Sequence, residues 1–176
     1  MANRYERRVV KVGSNVRTRD DGTLEATRLS AIVDQVAKGR REGIEVILVS
    51  SGAVASGRSE LGSQCGRMDQ VSARQLFSAV GQAKLINRYY DMFREWGIAC
   101  GQVLTTKESL GTRAHYLNQR NCMRVMIANG VIPIDNENDT ISVTELMFTD
   151  NDELSGLIST RMDAELLVIL RNVDGK

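Results

Sequence analysis

Two polar clusters toward the C-terminal end of the chain contain the residue types best suited to binding chemistry. They are residues 136–139 (Asn-Glu-Asn-Asp) and residues 150–152 (Asp-Asn-Asp), and the first follows a short apolar run at 131–134. Amides and carboxylates packed this densely after a strand are poor core material, and they can bind a small charged ligand that carries an amine. Asx turns and helix capping explain some of these residues but not all of them. The clusters therefore predict a ligand site.

Two further strand ends carry similar signals. Lys11 lies near the end of an apolar run, and Gly13 and Ser14 follow it, so that an ammonium and close backbone N–H groups could meet a phosphate. Ser51 and Gly52 follow another apolar run, where N–H groups that open a helix favour anions. Taken singly, the first segment is better explained by a surface lysine before a turn, and the second fits ordinary serine capping as well as it fits anion binding. Since ligands bind outside the carboxyl ends of parallel strands, the three segments together favour one site.

The elements that must position these residues alternate between strand and helix patterns. Apolar runs of strand length are predicted to form strands at about 9–12, 46–49, 98–104, 131–134 and 166–170. Helical spacing predicts helices at about 24–42, 52–61, 71–96, 109–129 and 154–162, and a hairpin arm is predicted at 141–148. This alternation predicts an α/β protein with a mainly parallel sheet and helices on both faces.

Three details of this pattern are open to direct comparison with a structure. Gly43, Gly97 and Gly130 are expected to end helices. Pro133 is the only proline and removes a ladder donor, so its strand is either an edge strand or has Pro133 near its end. The buried stripe of the long helix is predicted to be Leu76, Phe77, Val80, Ala83 and Ile86.

Composition restricts the class of protein. With 176 residues, 42% hydrophobic and 26% charged, the chain has the size and balance of one globular domain. A net charge of +1 gives no electrostatic case for nucleic acid or for a membrane surface. Three cysteines and a single histidine, with no CxxC pair, argue against a zinc site. No apolar segment approaches the length of about 18 residues that a membrane span requires, so we expect a cytoplasmic protein.

At this point the residues match a known family. The chain resembles the amino-acid kinase superfamily and, within it, the glutamate 5-kinases, over nearly all of its length. The pair of clusters at 136–139 and 150–152 is the part specific to glutamate kinases. The matching segments, in family order, are 9–14 (Val-Val-Lys-Val-Gly-Ser), 48–58 (Leu-Val-Ser-Ser-Gly-Ala-Val-Ala-Ser-Gly-Arg), 79–82 (Ala-Val-Gly-Gln), 102–105 (Gln-Val-Leu-Thr), 116–118 (Tyr-Leu-Asn), 131–134 with 136–140, 150–152 with 154–155, and 173–175 (Val-Asp-Gly).

The resemblance implies a three-layer α/β/α sandwich of the amino-acid kinase fold and an ATP- and Mg²⁺-dependent reaction. That reaction phosphorylates the γ-carboxylate of glutamate to γ-glutamyl phosphate, the first step of proline synthesis. It also implies feedback inhibition by proline and a homodimer or homotetramer. Two alternatives stay open: a non-catalytic glutamate or proline sensor on the same scaffold, and a kinase for another acceptor such as acetylglutamate, aspartate or UMP.

The resemblance also assigns roles to individual residues. Lys11 is expected to meet the transferring phosphoryl group, and Asp150 to organise the catalytic lysines. No residue is expected to ligate a metal. The expected glutamate-binding residues are Ser51, Gly52, Ala53, Asn136, Asp139 and Asn151. The expected nucleotide-binding residues are Lys11, Gly13, Ser14, Arg171 and Asn172, although the family usually has Thr-Asp or Ser-Asp where this sequence has Arg171 and Asn172.

The C-terminal end of the sequence departs from the family pattern. The family's nucleotide half follows the Val-Asp-Gly segment, with a glycine-rich turn and a second catalytic lysine, and many members add an RNA-modification-type domain. None of these occurs in residues 1–176, and the last predicted strand has no covering helix after it. We therefore expect residues 1–176 to be the glutamate-binding portion of an amino-acid kinase domain, incomplete at its C-terminus and inactive by itself.

Overall fold

The computed structural model describes residues 5–13, 26–62, 66–142 and 151–171, and the elements found there alternate as predicted. The strands are β1 (Arg7–Val12), β2 (Glu45–Ser50), β3 (Cys100–Thr105), β4 (Ile132–Glu137) and β5 (Leu166–Leu170). The helices are α1 (Ala26–Arg41), α2 (Ala53–Leu61), α3 (Gln70–Glu95), α4 (Lys107–Gly111), α5 (Arg113–Ala128) and α6 (Asn151–Arg161). The fifth predicted strand has the predicted bounds, and the other predicted strands and the helices at 24–42, 52–61, 71–96 and 154–162 differ by a few residues.

The five strands form one sheet in the order β3-β4-β2-β1-β5, and each neighbouring pair is parallel. Val12 of β1 is in register with Ser50 of β2 on one side and with Leu170 of β5 on the other. Val49 of β2 is in register with Asp135 of β4. The carboxyl ends of β1, β2 and β4 therefore meet at one margin of the sheet, called here the carboxyl edge.

Helices cover both faces of the sheet, which confirms the predicted α/β fold with its mainly parallel sheet. Alternation along β2 separates the two cores, because Val46 and Leu48 belong to one and Ile47 and Val49 to the other. The core on the α1 and α3 side includes Leu29, Val33, Leu85, Tyr89, Phe93, Ile132 and Ile134. The core on the α5 and α6 side includes Val9, Met123, Ile127, Leu154 and Ile158.

The predicted strand at 131–134 was too short. Strand β4 continues to Glu137, because its ladder with β3 extends to the pairs Leu104–Asn136 and Thr105–Glu137. Two residues of the first polar cluster thus lie within the strand and not beyond it. Pro133 is the second residue of β4, and β4 is internal to the sheet. Of the two alternatives, therefore, Pro133 lies near the end of its strand, and the strand is not an edge strand.

The predicted single helix at 109–129 was wrong, since α4 and α5 are separate helices. Thr112 stands between them with extended backbone (φ −110°, ψ 138°), and its side chain accepts a hydrogen bond from the N–H of His115. A threonine in this conformation ends one helix and caps the next. Gly43, Gly97 and Gly130, the predicted helix ends, all have positive φ, as expected of glycine after a helix.

The predicted buried stripe of α3 was only partly right. Phe77 is buried, but Leu76 is exposed. The reason is the close approach of α2 and α3 at Gly57 and Gly81, where a Cβ on Gly81 would lie 1.8 Å from the carbonyl oxygen of Ala53. This contact turns the face containing Gly81 inward, and the observed buried residues are Phe77, Ser78, Gly81, Gln82, Leu85, Tyr89 and Phe93.

Most of the predicted hairpin arm at 141–148 lies outside the described residues. Among the helices that the structure describes, none combines the length and the apolar character that crossing a membrane requires.

Candidate functional site

A buried ion pair marks the carboxyl edge. Lys11 near the end of β1 places its Nζ 2.6 Å from Oδ1 of Asp152, and Lys11 is only 7% exposed. Asp152 lies in the first turn of α6, where the helix dipole favours a negative charge. Its second oxygen, Oδ2, forms an ion pair with Arg171, which directly follows β5. One carboxylate thus holds two cations from neighbouring strands.

Next to this pair, three side-chain amides form a buried chain of hydrogen bonds. Nδ2 of Asn151, at the start of α6, donates to the backbone carbonyl of Ser50 at 2.6 Å and to Oδ1 of Asn136 at 2.9 Å. Nδ2 of Asn136 in turn donates to Oε1 of Gln82 on α3 at 2.7 Å. We call the Ser50 carbonyl and these three side chains the amide relay. It links β2, β4, α3 and α6 at one place.

The segment after β2 is held against the neighbouring elements. The hydroxyl of Ser50 donates to the Tyr89 hydroxyl at 3.1 Å, and the hydroxyl of Ser51 donates to the carbonyl of Val12 at 3.1 Å. Gly52 has φ 93° and ψ 13°, a left-handed conformation that glycine adopts without strain. Ala53 then begins α2 and is buried. The turn between β2 and α2 is therefore fixed beside the end of β1.

Beyond the end of β4, two acidic side chains share one arginine. Nε and Nη2 of Arg74 lie 2.8 Å and 2.7 Å from Oδ1 of Asp139, and Nη2 lies 3.4 Å from Oε2 of Glu137. Asp139 and Glu137 are 6% and 4% exposed, whereas the side chain of Arg74 is 41% exposed. The arginine, in the first turns of α3, thus balances buried negative charge from the open side of the site.

A further set of buried polar side chains, called here the Asp135 cluster, lies on the opposite face of β4. Oγ1 of Thr105 donates to the carboxylate of Asp135, at 2.7 Å from Oδ1 and 2.9 Å from Oδ2. Gln119 donates to Thr105, Arg161 donates to Gln119, and the Arg161 guanidinium stacks over the Tyr116 ring at 4.4 Å from its centroid.

Burial governs the ionisation of the Asp135 cluster. The Asp135 carboxyl is fully buried, and this raises its pKa to about 7, against the opposing effects of the Thr105 hydrogen bond and the Arg161 charge. Burial likewise lowers the pKa of Arg161, although the nearby Tyr116 and Asp135 oppose that shift. Since the odd and even positions of a strand face opposite ways, Asp135 lies on the opposite face of β4 from Asn136 and the amide relay.

The structure brings several predicted site residues together and separates others. Asn136 and Asn151 are hydrogen-bonded to each other at the carboxyl edge, and Lys11 and Arg171 both pair with Asp152, the residue that follows Asn151. Ser51 lies beside the end of β1 through its bond to Val12, whereas Asp139 is engaged in the separate pair with Arg74.

Gly13, predicted to contact nucleotide, uses its N–H in another way: this group donates to the Leu170 carbonyl at 3.2 Å and extends the sheet. In this structure the amide is engaged in the sheet, and the contact of Gly13 with nucleotide stays a prediction. Three other predicted site residues, Ser14, Asp150 and Asn172, lie outside the described residues, so their roles stay predictions.

Three residues with evident roles in this geometry were absent from the predicted set. Asp152, which pairs with Lys11, belongs to the second polar cluster, so the sequence contained a signal for it. Gln82 ends the Ala-Val-Gly-Gln segment, but it falls on the stripe that the sequence pattern misplaced. Arg74 is one of many charged residues on an exposed helix face, and no sequence pattern distinguishes it.

The comparisons with known proteins point to one family. The model of the amino acid kinase family matches residues 6–175. A glutamate 5-kinase of Bacteroides thetaiotaomicron is 69% identical over 99% of this chain and 48% of its own length. A glutamate 5-kinase of Chlorobaculum tepidum is 47% identical over 97% and 47%, and a glutamate 5-kinase 2 of Bacillus licheniformis is 42% identical over 99% and 47%. The chain spans about half the length of these curated relatives.

Proposed function

The chain belongs to the amino acid kinase family, and from this premise we propose that it forms the acceptor-binding side of a glutamate 5-kinase. The proposed reaction transfers the terminal phosphoryl group of ATP to the γ-carboxylate of glutamate and yields γ-glutamyl phosphate and ADP. The names of the relatives support the choice of glutamate, and the polar groups at the carboxyl edge are consistent with it.

One observation carries this proposal: the Lys11–Asp152 ion pair lies directly beside the amide relay. A cation whose position is fixed suits a phosphoryl group in transfer, because such reactions depend on placement and on neutralising charge. Amide oxygens suit the ammonium of an amino acid. Since Asp152 and Asn151 are consecutive residues in the first turn of α6, the two functions are held in a fixed spatial relation.

The substrate supplies its own nucleophile in this scheme, so no side chain need act as a general base. Lys11 would approach the phosphoryl oxygens and lower the charge repulsion between the γ-carboxylate and ATP. Asp152 would orient Lys11 and, through Oδ2, Arg171. Together these two cations, held by one carboxylate, are suited to a group that carries several negative oxygens.

The same residues fit a nucleotide's phosphates. When bound, Mg²⁺-ATP supplies the phosphoryl group, and Mg²⁺ is commonly held by the phosphates themselves with one or two carboxylates. Among the described residues, no group of three or more His, Cys, Asp or Glu side chains is arranged to hold a metal ion. We assign the phosphates to Lys11 and Arg171, the two cations that Asp152 holds at the carboxyl edge.

Asp139 is assigned to the α-ammonium of glutamate. Its carboxylate is balanced by Arg74 in the structure, and an arriving ammonium would share that carboxylate. The arginine can keep one hydrogen bond while Asp139 accepts another, because an ionised carboxylate has about four acceptor positions. Proline feedback and assembly into a dimer or tetramer stay predictions of the family resemblance.

The proposal is tested by calorimetric titration with glutamate, followed by a coupled assay of glutamate-dependent ADP release carried out with the nucleotide-binding half of the kinase domain present, since residues 1–176 are expected to be inactive by themselves. We expect glutamate to bind, Asp139→Ala to weaken that binding at least about tenfold, and ADP release to depend on glutamate. The matched control Asp91→Ala changes an exposed aspartate of α3 and should leave both measurements unaltered. A clear preference for acetylglutamate, aspartate or UMP in the same assay would overturn the assignment of the acceptor.

A non-catalytic glutamate or proline sensor is the second candidate, and the Arg171–Asp152 ion pair is the observation that favours it. Arg171 stands where the resemblance places a nucleotide contact, yet it is engaged by an acidic side chain. A sensor would bind glutamate or proline with no ADP release, and nucleotide would not alter that binding. Glutamate-dependent ADP release in the coupled assay, with the nucleotide-binding half present, would exclude the sensor.

A further inference from the structure

We propose that Gln82 is a positioning residue that anchors the far end of the amide relay, so that Oδ1 of Asn151 is presented to the ammonium of the acceptor. This inference rests on the proposed function, because it names how the same site recognises its substrate. Gln82 is not among the residues predicted to act in the chemistry. It contacts Asn136, which in turn contacts Asn151, so Gln82 acts on Asn151 only through Asn136.

The direction of the relay follows from its first member. A backbone carbonyl only accepts hydrogen bonds, so the atom of Asn151 that lies 2.6 Å from the Ser50 oxygen must be its nitrogen. The same nitrogen faces Asn136 at 2.9 Å, which requires the oxygen of Asn136 there. The nitrogen of Asn136 must then face Gln82, and Gln82 must present its oxygen.

This direction determines which atom remains for a ligand. In the part of the chain that the structure describes, Asn151 uses its nitrogen for both relay bonds and its Oδ1 for neither, whereas both the oxygen and the nitrogen of Asn136 are used within the relay. The relay therefore leaves an acceptor oxygen, and not a donor nitrogen, at the start of α6. An acceptor suits an ammonium and disfavours a ligand that offers only further oxygen atoms at this position.

Packing holds Gln82 in place at the end of the relay. It is 9% exposed and belongs to the buried stripe of α3 that continues through Leu85 and Tyr89. The preceding residue, Gly81, packs against the backbone of α2 with no room for a side chain. Tyr89 also accepts from the hydroxyl of Ser50, so α3 holds the two ends of the relay at once.

Loss of the Gln82 oxygen would leave Nδ2 of Asn136 buried without an acceptor. Asn136 would then turn toward another acceptor, and its oxygen would move away from Nδ2 of Asn151. Asn151 would lose that bond, so its side chain would shift and its oxygen would leave the ammonium position. If Gln82 merely filled space in the core, its replacement would weaken the binding of all ligands of similar size equally.

The test compares glutamate with glutarate, which is glutamate without its α-ammonium, by calorimetric titration of the full chain. We expect the wild type to bind glutamate more tightly than glutarate. Gln82→Leu should weaken glutamate binding about tenfold or more and glutarate binding by less than about twofold, because only glutamate uses the Asn151 oxygen. Gln82→Glu keeps an acceptor oxygen facing Asn136 and should retain most of the glutamate preference.

The matched control is Gln75→Leu, the same substitution about two turns earlier on α3, where the side chain is half-buried and takes no part in the relay. It should change neither affinity. Thermal unfolding of each variant establishes that it is folded, and Gln82→Met, which preserves the length of the side chain, replaces Gln82→Leu should that variant fail to fold.

The outcomes separate the two proposals. Equal losses for glutamate and glutarate in Gln82→Leu, or no loss for either, would overturn the positioning role while wild-type glutamate binding still supports the proposed function. A wild type that binds neither ligand would overturn the proposed function and this inference with it. Loss of glutamate preference in Gln75→Leu as well would also count against a specific role of Gln82.

Discussion

The ammonium of Lys11 and the carboxylate of Asp152 lie 2.6 Å apart and join the end of β1 to the first turn of α6. Their side chains are 9% and 14% exposed, so neither charge is well hydrated. Removing one partner of such a pair leaves the other as an uncompensated charge. The pair therefore ties the position of the proposed catalytic cation to the helix that also carries Asn151.

Replacing Lys11 should separate catalysis from acceptor binding. We expect Lys11→Met to reduce glutamate-dependent ADP release by about a hundredfold or more, the usual cost of losing a group that stabilises transition-state charge. Glutamate affinity, measured by calorimetry, should change only a few-fold because the amide relay stays intact. Lys38→Met, at an exposed position of α1, is the control and should retain full activity. ADP release near the wild-type rate in Lys11→Met would remove Lys11 from the mechanism.

Arg74 should stabilise the end of β4 through Asp139 and Glu137. Arg74→Met leaves these buried carboxylates without their arginine, and we expect the free energy of unfolding in urea to fall by about 1–2 kcal/mol. This estimate is reduced from that of a fully buried pair because the Arg74 side chain is 41% exposed. Arg88→Met makes the same change at an exposed position on α3 and should have little effect. Equal stabilities of the two variants would show that the arginine contributes nothing measurable.

The buried carboxyl of Asp135 should make stability depend on pH. Its pKa is raised from 3.8 to about 7 in the folded protein, so the folded state keeps a proton that the unfolded state has lost across that interval. The free energy of unfolding should therefore fall as the pH rises from 3.8 to about 7 and then level off with respect to this group.

Asp135→Asn has no ionisable group at this position, so its stability should decline less steeply over the same interval. Thr105 can still donate to the amide oxygen, which preserves the hydrogen bond. Urea unfolding at a series of pH values measures the slope, and Asp91→Asn, on the exposed face of α3, should keep the wild-type slope. An unchanged slope in Asp135→Asn would mean that this carboxyl does not control the pH dependence.

The close contact between α2 and α3 should tolerate no side chain at Gly81. A methyl group there would lie 1.8 Å from the Ala53 carbonyl oxygen, so Gly81→Ala must separate the helices and should destabilise the protein by about 2 kcal/mol or more. Because Gln82 follows directly, glutamate affinity should fall as well. Gly156→Ala places the same methyl group in open space on α6 and should be neutral or slightly stabilising. Comparable stability of the two variants would contradict the close packing.

The sequence by itself determined the order of the elements, because apolar runs and helical spacing are properties of local stretches of chain. The strand at 166–170, the glycines that end helices and the clusters at 136–139 and 150–152 were all identified in this way. Local patterns predicted the bounds of an element less well where a neighbouring strand or a capping residue determined them. Strand β4 is longer than its apolar run because β3 pairs with its polar residues, and Thr112 divides a helix whose apolar spacing continues through it.

Only the tertiary structure decided which polar residues meet. The bonds of Asn136 to Gln82 and to Asn151 span 54 and 15 positions, and the bond of Asn151 to Ser50 spans 101, so no local pattern can specify them. They depend on the parallel register of β2 with β4 and on the rotation of α3 set by its contact with α2. The sequence thus determined which chemical groups are present, whereas packing determined their partners, because hydrogen bonds are directional and require groups from distant segments at about 3 Å.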